Sequence, residues 1–146
     1  MSSTSRLEPV LRYREILLRR TEAALEQARS QLENVRNQIA AIESERQNGL
    51  SGLEKEGCSL EWKALCYEFL HSLSLRAEGE KARFEEAVRV FEDCRSTWEA
   101  ASRERKKILL LIEEEDRDRK RSDQIREERR LDDSETARWS RSRGNA

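Results

Sequence analysis

A long run of heptads without a helix breaker constrains this chain more than any other feature of its sequence. From Val10 to Asn48 there is neither proline nor glycine, and apolar residues recur at alternating steps of three and four. The residues at position a are Leu18, Leu25, Leu32 and Ile39, and those at position d are Thr21, Ala28, Val35 and Ile42. Four filled heptads predict a long helix that packs against another helix as a coiled coil.

A glycine-bearing segment separates this helix from a second apolar seam. Gly49, Gly52 and Gly57 lie where the heptad pattern fades, so we expect the chain to turn there, with Ser59 as the N-cap of a second helix. One a/d register beyond the turn contains Leu70, Leu73, Ala77, Phe84, Ala87, Phe91, Cys94, Trp98, Ala101, Ile108 and Ile112, with Glu80 and Arg105 as charged interruptions. The sequence therefore predicts an all-α fold, a two-helix antiparallel coiled-coil hairpin with a longer second helix.

The boundaries follow from these patterns. We predict a single coiled-coil hairpin over residues 1–146, with helix one at about 7–48, the turn at about 49–59, helix two at about 60–138 and a flexible tail at 139–146.

The pairing of the two helices depends on where the chain turns. A turn near residue 54 pairs residues whose numbers sum to roughly 108, so Leu7 would meet Ala101 and helix two would lack a partner beyond that level. The aliphatic residues Ile108–Ile112 would then surround an unpaired helix, and exposed apolar surface of this kind is typical of a contact site. If helix one instead continues through the glycines to Glu56, the sum rises by several residues and Ile108 can reach Pro9.

Composition limits the partners that such a chain can bind. Its 29 basic and 30 acidic residues give a net charge of -1, so the chain has no overall field that would attract nucleic acid or an anionic membrane. The basic residues Arg138, Arg141 and Arg143 have no nucleic-acid-binding fold beside them. No apolar run approaches the roughly 18 to 20 residues that span a bilayer, and the first residues lack the apolar stretch of a secretory signal. We therefore predict a cytoplasmic protein without membrane insertion, and we do not expect nucleic acid as a partner.

The residues that carry catalysis or bind metals are sparse. The chain has one histidine, His71, and contains no glycine-rich phosphate loop, no G-x-S-x-G and no H-E-x-x-H. Cys58, Cys66 and Cys94 are odd in number and follow no zinc-finger spacing, which indicates reduced thiols. A metal site from His71, Cys66 and Glu68 would lack a fourth ligand. The sequence thus predicts a protein that is not an enzyme and has neither a metal nor a cofactor.

Three segments resemble the stalk proteins of type III secretion, the FliJ/YscO family. The opening L-E-P-V-L-R-Y-R-E at 7–15 is similar to the start of the family, and F-L-H-S-L at 69–73 is similar to the aromatic element that follows its turn. The third segment, L-D-D-S-E-T-A-R at 131–138, resembles a Leu-Asp-Glu element near the end of the family, with Asp133 in place of the usual Glu. The resemblance covers nearly the whole chain.

The resemblance implies a fold like the central coiled-coil stalk of rotary ATPases and a place at the inner-membrane base of a secretion apparatus. The end that carries the chain termini would enter the pore of a hexameric secretion ATPase and promote its assembly. The turn end would face the export-gate membrane protein, and export chaperones are a further class of partner. Whether the apparatus is a flagellum or an injectisome is left open.

The implied contact residues fall into two sets. By resemblance, the gate-side residues are Gln38, Ile42, Phe69 and Leu73. Glu45 and Gly49 stand at two further positions of this surface where the family has aromatic residues. The ATPase-side residues, taken from the overhanging helix and the matching terminal segments, are Arg14, Ile108, Leu110, Leu131, Asp132, Asp133 and Arg138.

Two other classes of function remain open at this point. The first is a generic coiled-coil adaptor or scaffold that forms a homodimer through the aliphatic residues Ile108–Ile112. The second is a nucleic-acid-binding rod that uses the arginine-rich end of the chain. Three observations discriminate between these classes. Stimulation of a hexameric ATPase favours the secretion stalk, a stable dimer without such stimulation favours the adaptor, and steep salt-dependent binding of nucleic acid favours the nucleic-acid-binding rod.

Overall fold

Two long α-helices make up the protein in the computed structural model, which describes residues 6–144. Helix α1 extends over Glu8–Glu54 and helix α2 over Leu60–Gly144, and no strand occurs within the described range. The two helices pack against each other, which confirms the predicted all-α helical hairpin. None of the helices described has a segment apolar and long enough to cross a membrane.

The described residues divide into two compact units. One, here called the hairpin unit, is Leu17–Ala101 and contains the turn. The other, the terminal unit, contains residues 6–16 of α1 and its preceding turn together with residues 102–144 of α2.

The first helix ends six residues later than the sequence predicted. Helix α1 continues through Gly49 and Gly52 to Glu54, so the predicted end at residue 48 and the predicted turn at 49–59 are wrong, and the turn occupies 55–59. These two glycines lie where the helices approach closely, because a Cβ added to Gly49 would meet Leu70 Cδ2 at 3.0 Å and one added to Gly52 would meet Cys66 Sγ at 3.7 Å. Of the three glycines only Gly57, with a φ of 83°, adopts the left-handed conformation that a turn requires.

The turn is held by hydrogen bonds to the ends of both helices. Ser59 is the N-cap of α2, as predicted, and its Oγ accepts a hydrogen bond from the backbone N–H of Trp62 at 3.1 Å. The indole Nε1 of Trp62 donates to the carbonyl oxygen of Gly52 at 3.3 Å. That carbonyl is among the last four of α1, which have no partner within their own helix. Trp62 therefore helps to terminate α1 from the first turn of α2.

The second helix continues beyond its predicted end. Residues 139–144, predicted as part of a flexible tail, are helical, whereas residues 145–146 lie outside the described range. The guanidinium of Arg143 lies 4.2 Å from the centroid of the Trp139 ring, one helical turn away. Arg141 and Arg143 also occupy the last turn, where positive charge stabilises the helix dipole.

The core lies in the hairpin unit and follows the predicted seams. Val35 and Leu73 are 1% and 2% exposed, and a cluster of Leu32, Val35 and Ala87 packs against the half-buried Phe84 and neighbouring apolar residues. The other buried residues are Ala28, Ile42 and Cys66. Ile39, predicted at position a, is 36% exposed and lies at the margin of the seam.

The register within the hairpin unit differs from the expected pairing. Arg76 forms an ion pair with Glu45 at 3.5 Å, and Arg83 Nη1 donates a hydrogen bond to Gln38 Oε1 at 3.4 Å. The residue numbers of both pairs sum to 121, so the expected sum of roughly 108 is wrong. The difference has the direction expected from an α1 that continues through its glycines, because a later turn moves every partner toward the C-terminus.

Candidate partner-binding surfaces

An open apolar cleft lies beside the turn in the hairpin unit. Its volume is about 340 Å³, and it is lined by Asn48, Gly49, Gly52, Trp62, Leu65, Cys66 and Phe69. The lining residues of α2 recur at the spacing of one helical face. Trp62, Leu65 and Phe69 remain 47%, 60% and 45% exposed although they are large and apolar.

Two glycines of α1 line the cleft. Gly49 and Gly52 contribute no side chains to the lining, and a Cβ added to either would meet side chains of α2, among them Phe69 and Trp62. A surface of this kind suits an apolar side chain or helix face of a partner. We call it the turn cleft.

The four residues assigned by resemblance to the gate side do not share one surface. Ile42 and Leu73 are core residues, 5% and 2% exposed. Gln38 is exposed and accepts the hydrogen bond from Arg83. Phe69 alone among the four lines the turn cleft. The side chains available to a partner are therefore those of Gln38 and Phe69.

The turn cleft is not predicted from the sequence. The glycine pattern predicts Gly49 and Gly52 as turn residues, whereas they lie three residues apart on one face of α1. That spacing, together with Trp62, Leu65 and Phe69 on one face of α2, is the signal that would have revealed an apolar groove.

Residues Ile108–Ile112 of α2, here called the aliphatic run, lie in the terminal unit. Their side chains occupy two environments. Ile108, Leu109 and Ile112 are half-buried, whereas Leu110 and Leu111 are 57% and 45% exposed. The run therefore does not surround an unpaired helix, as the first of the two expected registers required. It has one covered side and one open side.

Most of the other predicted ATPase-side residues are exposed. Every residue of α2 from Lys120 to Gly144 is exposed. This range includes Leu131, Asp132, Asp133 and Arg138 from the predicted set. Ile125, Leu131 and Trp139 are apolar residues of this segment that remain 45%, 57% and 59% exposed. The C-terminal part of α2 is thus a bare, highly charged helix with apolar residues at intervals, which we call the bare segment (120–144).

A layer of charged side chains lies between the helices in the terminal unit. Glu15 Oε1 of α1 and Arg105 Nε of α2 are 3.7 Å apart. Within α2, the exposed Lys107 has its Nζ 3.0 Å from Glu104 Oε1. Arg14, a predicted ATPase-side residue, is half-buried at this layer. The Nε atoms of Arg14 and Arg105 are buried without a hydrogen-bond partner.

The acidity of Glu104 is altered by its neighbours. The hydrogen bond from Lys107 lowers the pKa of the Glu104 carboxyl, and the positive charges of Lys107, Arg14 and Arg103 act in the same direction. The carboxylate is therefore favoured in the folded chain.

The described residues show no arrangement for metal chemistry. No three His, Cys, Asp or Glu side chains within 6–144 are grouped so that they could hold a metal ion. Cys58, Cys66 and Cys94 are free thiols, and the Cys58 Sγ lies 3.7 Å from the carbonyl oxygen of Gly52.

Comparison with known proteins agrees with the helical hairpin. A family model described as "Flagellar FliJ protein" matches residues 2–144, nearly the full length of the chain. No curated protein and no solved structure matches it. Membership in this family of non-catalytic flagellar export proteins suggests a component of the flagellar type III export apparatus. The chain belongs to the flagellar FliJ protein family.

Proposed function

We propose that this chain is the non-enzymatic central stalk of the flagellar type III export ATPase complex. In this role it promotes the ATPase hexamer at the inner-membrane base and couples it to the membrane export gate, with export chaperones as further partners. The observation that carries the proposal is the bare segment, where α2 continues for 25 residues without a single half-buried side chain. A helix so devoid of intramolecular packing is expected to obtain its stabilising contacts from another molecule.

The charge pattern of the bare segment supports a pore as its binding site. Acidic and basic residues are interleaved over most of it, as in Arg126, Glu127, Glu128 and Arg129. Exposed ion pairs contribute only about 0 to 1 kcal/mol each, so such a helix has many weak contacts and no dominant one. This suits a helix inside a ring of subunits, where no single rotational setting should bind too tightly.

The turn cleft supports the second half of the proposal. It presents Phe69, which the family resemblance assigns to the gate side, together with Trp62 and Leu65. We propose that the export gate inserts an apolar side chain there. The buried Ile42 and Leu73 then act by packing the helices that form the cleft.

The ATPase contact is tested by charge substitution with a control of equal exposure. We expect Leu110→Asp and Leu131→Asp to abolish the stimulation of the purified hexameric export ATPase, because each buries a charge in an apolar contact. Leu75→Asp is the matched control, since Leu75 is 58% exposed and the other two leucines are 57% exposed. Circular dichroism should show unchanged helicity for all three variants.

Two outcomes contradict the ATPase proposal. If both test variants stimulate the ATPase as strongly as the unmodified chain does, neither the bare segment nor the aliphatic run contacts the ATPase. A stable homodimer in sedimentation equilibrium, without any effect on ATPase turnover, favours a coiled-coil adaptor instead.

The gate contact is tested in the same way. Phe69→Ala should weaken binding to the purified cytoplasmic part of the export gate at least tenfold in a titration. Tyr67→Ala is the control, because Tyr67 is 64% exposed and does not line the cleft. Equal weakening by both variants, or by neither, contradicts a contact at the turn cleft.

A further inference from the structure

The terminal unit has arginine at the seam positions of both helices. Arg14 occupies the d position one heptad before Thr21, and Arg105 interrupts the apolar register of α2. The 3.7 Å approach of Glu15 Oε1 to Arg105 Nε brings these positions to the same level. Two positive charges therefore face a seam where a coiled coil normally has apolar side chains. We call Arg14 and Arg105 the arginine layer.

The neighbouring carboxylates compensate for this layer only in part. The Nε atoms of Arg14 and Arg105 are buried without a hydrogen-bond partner, which disfavours the closed arrangement. Glu15 lies near Arg105, but their distance exceeds that of a hydrogen bond. The short contact of Glu104 is to Lys107 on the same helix and stabilises α2 alone. The attraction between Glu104 and Arg14 across the two helices is a smaller cause of the lowered pKa of Glu104 than that contact.

Little apolar burial holds the beginning of α1 in place. None of residues 6–16 is buried, and only Leu7 and Leu11 among its apolar residues are half-buried. Val10, Tyr13 and Ile16 are 37%, 57% and 47% exposed. The free energy that favours attachment of this segment is therefore small.

Release of the segment changes what α2 presents. Ile108, Leu109 and Ile112 are half-buried in the terminal unit, and the remaining two residues of the run, Leu110 and Leu111, are already exposed. With the covered side opened, five consecutive aliphatic residues would present a band around the whole circumference of α2.

We propose that Glu8–Ile16 is a detachable strap, which opens at the arginine layer and thereby converts the aliphatic run from a one-sided stripe into a complete band. In the free protein, the strap packs against the covered side of the aliphatic run. Its opening does not depend on the proposed function. The proposed function determines only that the export ATPase binds the band once it is exposed.

The first test replaces both arginines of the arginine layer by leucine in the full-length chain. In Arg14→Leu/Arg105→Leu, we expect the hydrogen-exchange protection of amides 10–16 to rise at least tenfold, because apolar side chains replace two arginines whose Nε atoms are buried without a hydrogen-bond partner. The matched control is Arg12→Leu/Arg103→Leu, whose two arginines are exposed neighbours outside the seam. Protection that is unchanged in the first variant, or raised equally in both, overturns the proposal.

The second test measures access to the covered side. In a chain with Cys58, Cys66 and Cys94 replaced by alanine, a thiol reagent should modify Leu109→Cys through the open state. The modification rate of Leu109→Cys should fall at least tenfold when Arg14→Leu/Arg105→Leu is added. The modification rate of Leu110→Cys should not change. Equal rates for Leu109→Cys in both backgrounds contradict the strap, and circular dichroism verifies that each variant folds. Neither readout involves the ATPase, so failure of the strap is distinguishable from failure of the proposed function.

Discussion

At the scale of single residues, glycine occurs in three different environments in this chain. Gly57 adopts a φ of 83°, and Gly49 allows α2 to approach within van der Waals distance of the α1 backbone. Gly79 does neither, because a Cβ added there would meet nothing within 4 Å. The physical environment of each glycine, and not its residue type, therefore decides the effect of replacing it.

We expect Gly79→Ala to stabilise the protein by about 0.5 to 1 kcal/mol, since alanine loses less backbone entropy in a helix interior. Gly57→Ala should destabilise it by about 1 to 2 kcal/mol, because the left-handed conformation is strained for alanine. Urea denaturation of both variants measures the two free energies of unfolding. Effects of the same sign contradict the assignment.

Glu104 provides a prediction about pH. Its lowered folded-state pKa means that it contributes stability above the ordinary glutamate pKa of 4.5, and that this stability is lost as the pH falls through the folded-state pKa. Lys107→Met should raise the pKa of Glu104 toward its ordinary value, because the hydrogen bond from Lys107 is the largest cause of the shift. A carbon-detected NMR titration measures this pKa. Lys106→Met is the control, and an equal shift in the control contradicts the assignment to Lys107.

At the scale of the helices, the two ends of α2 differ in what supports them. The first turn is capped by Ser59 and fastened to α1 through Trp62 and Gly52. The bare segment depends on helix propensity, and an isolated helix gains little stability from this alone. We therefore expect the turn end to remain ordered and the bare segment to fray unless a partner binds it.

Loss of the N-cap should be measurable in the intact chain. Ser59→Ala is expected to lower the free energy of unfolding by about 1 kcal/mol, because the N–H of Trp62 loses its acceptor. Ser51→Ala is the control, since Ser51 is an exposed residue within α1. Thermal unfolding should show a lower midpoint for the first variant alone. Equal midpoints would mean that water replaces the cap without cost.

At the scale of the whole molecule, the register of the hairpin unit determines which residues of α1 and α2 pair. The pairs Glu45 with Arg76 and Gln38 with Arg83 share a sum of 121. Trp98 Nε1 donates to Glu22 Oε1 at 3.5 Å, which gives a sum of 120. One register thus persists over several heptads of the unit.

Spin labels test this register directly. In a chain without its native cysteines, labels at Gln38 and Arg83 should be close, because the native side chains form a hydrogen bond. Labels at Gln27 and Arg83 should be further apart, since 11 residues correspond to about 17 Å along a helix. Both distances are measured by double electron–electron resonance. The reverse order of distances would restore the register with a sum of roughly 108.

Local periodicity was sufficient to predict the elements of this protein. Their spacing places Val35 and Leu73 in the seams, and the hydroxyl of Ser59 at the start of the second helix predicts an N-cap. The turn cleft and the arginine layer were not predicted, because each consists of residues from both helices. Phe69 was chosen as a contact residue by resemblance, but its exposure depends on the glycines of α1 that it faces.

The sequence by itself determined that the chain folds into two long helices, since heptad spacing and the absence of breakers act over a few residues at a time. It also sufficed for the family, because the matching pattern extends along almost the entire chain. Only the tertiary structure decided which glycines turn the chain, which residues pair across the hairpin, and which aliphatic side chains remain exposed. Those properties depend on the distance between the helices and on their relative register, and neither quantity is encoded in the local pattern of one helix.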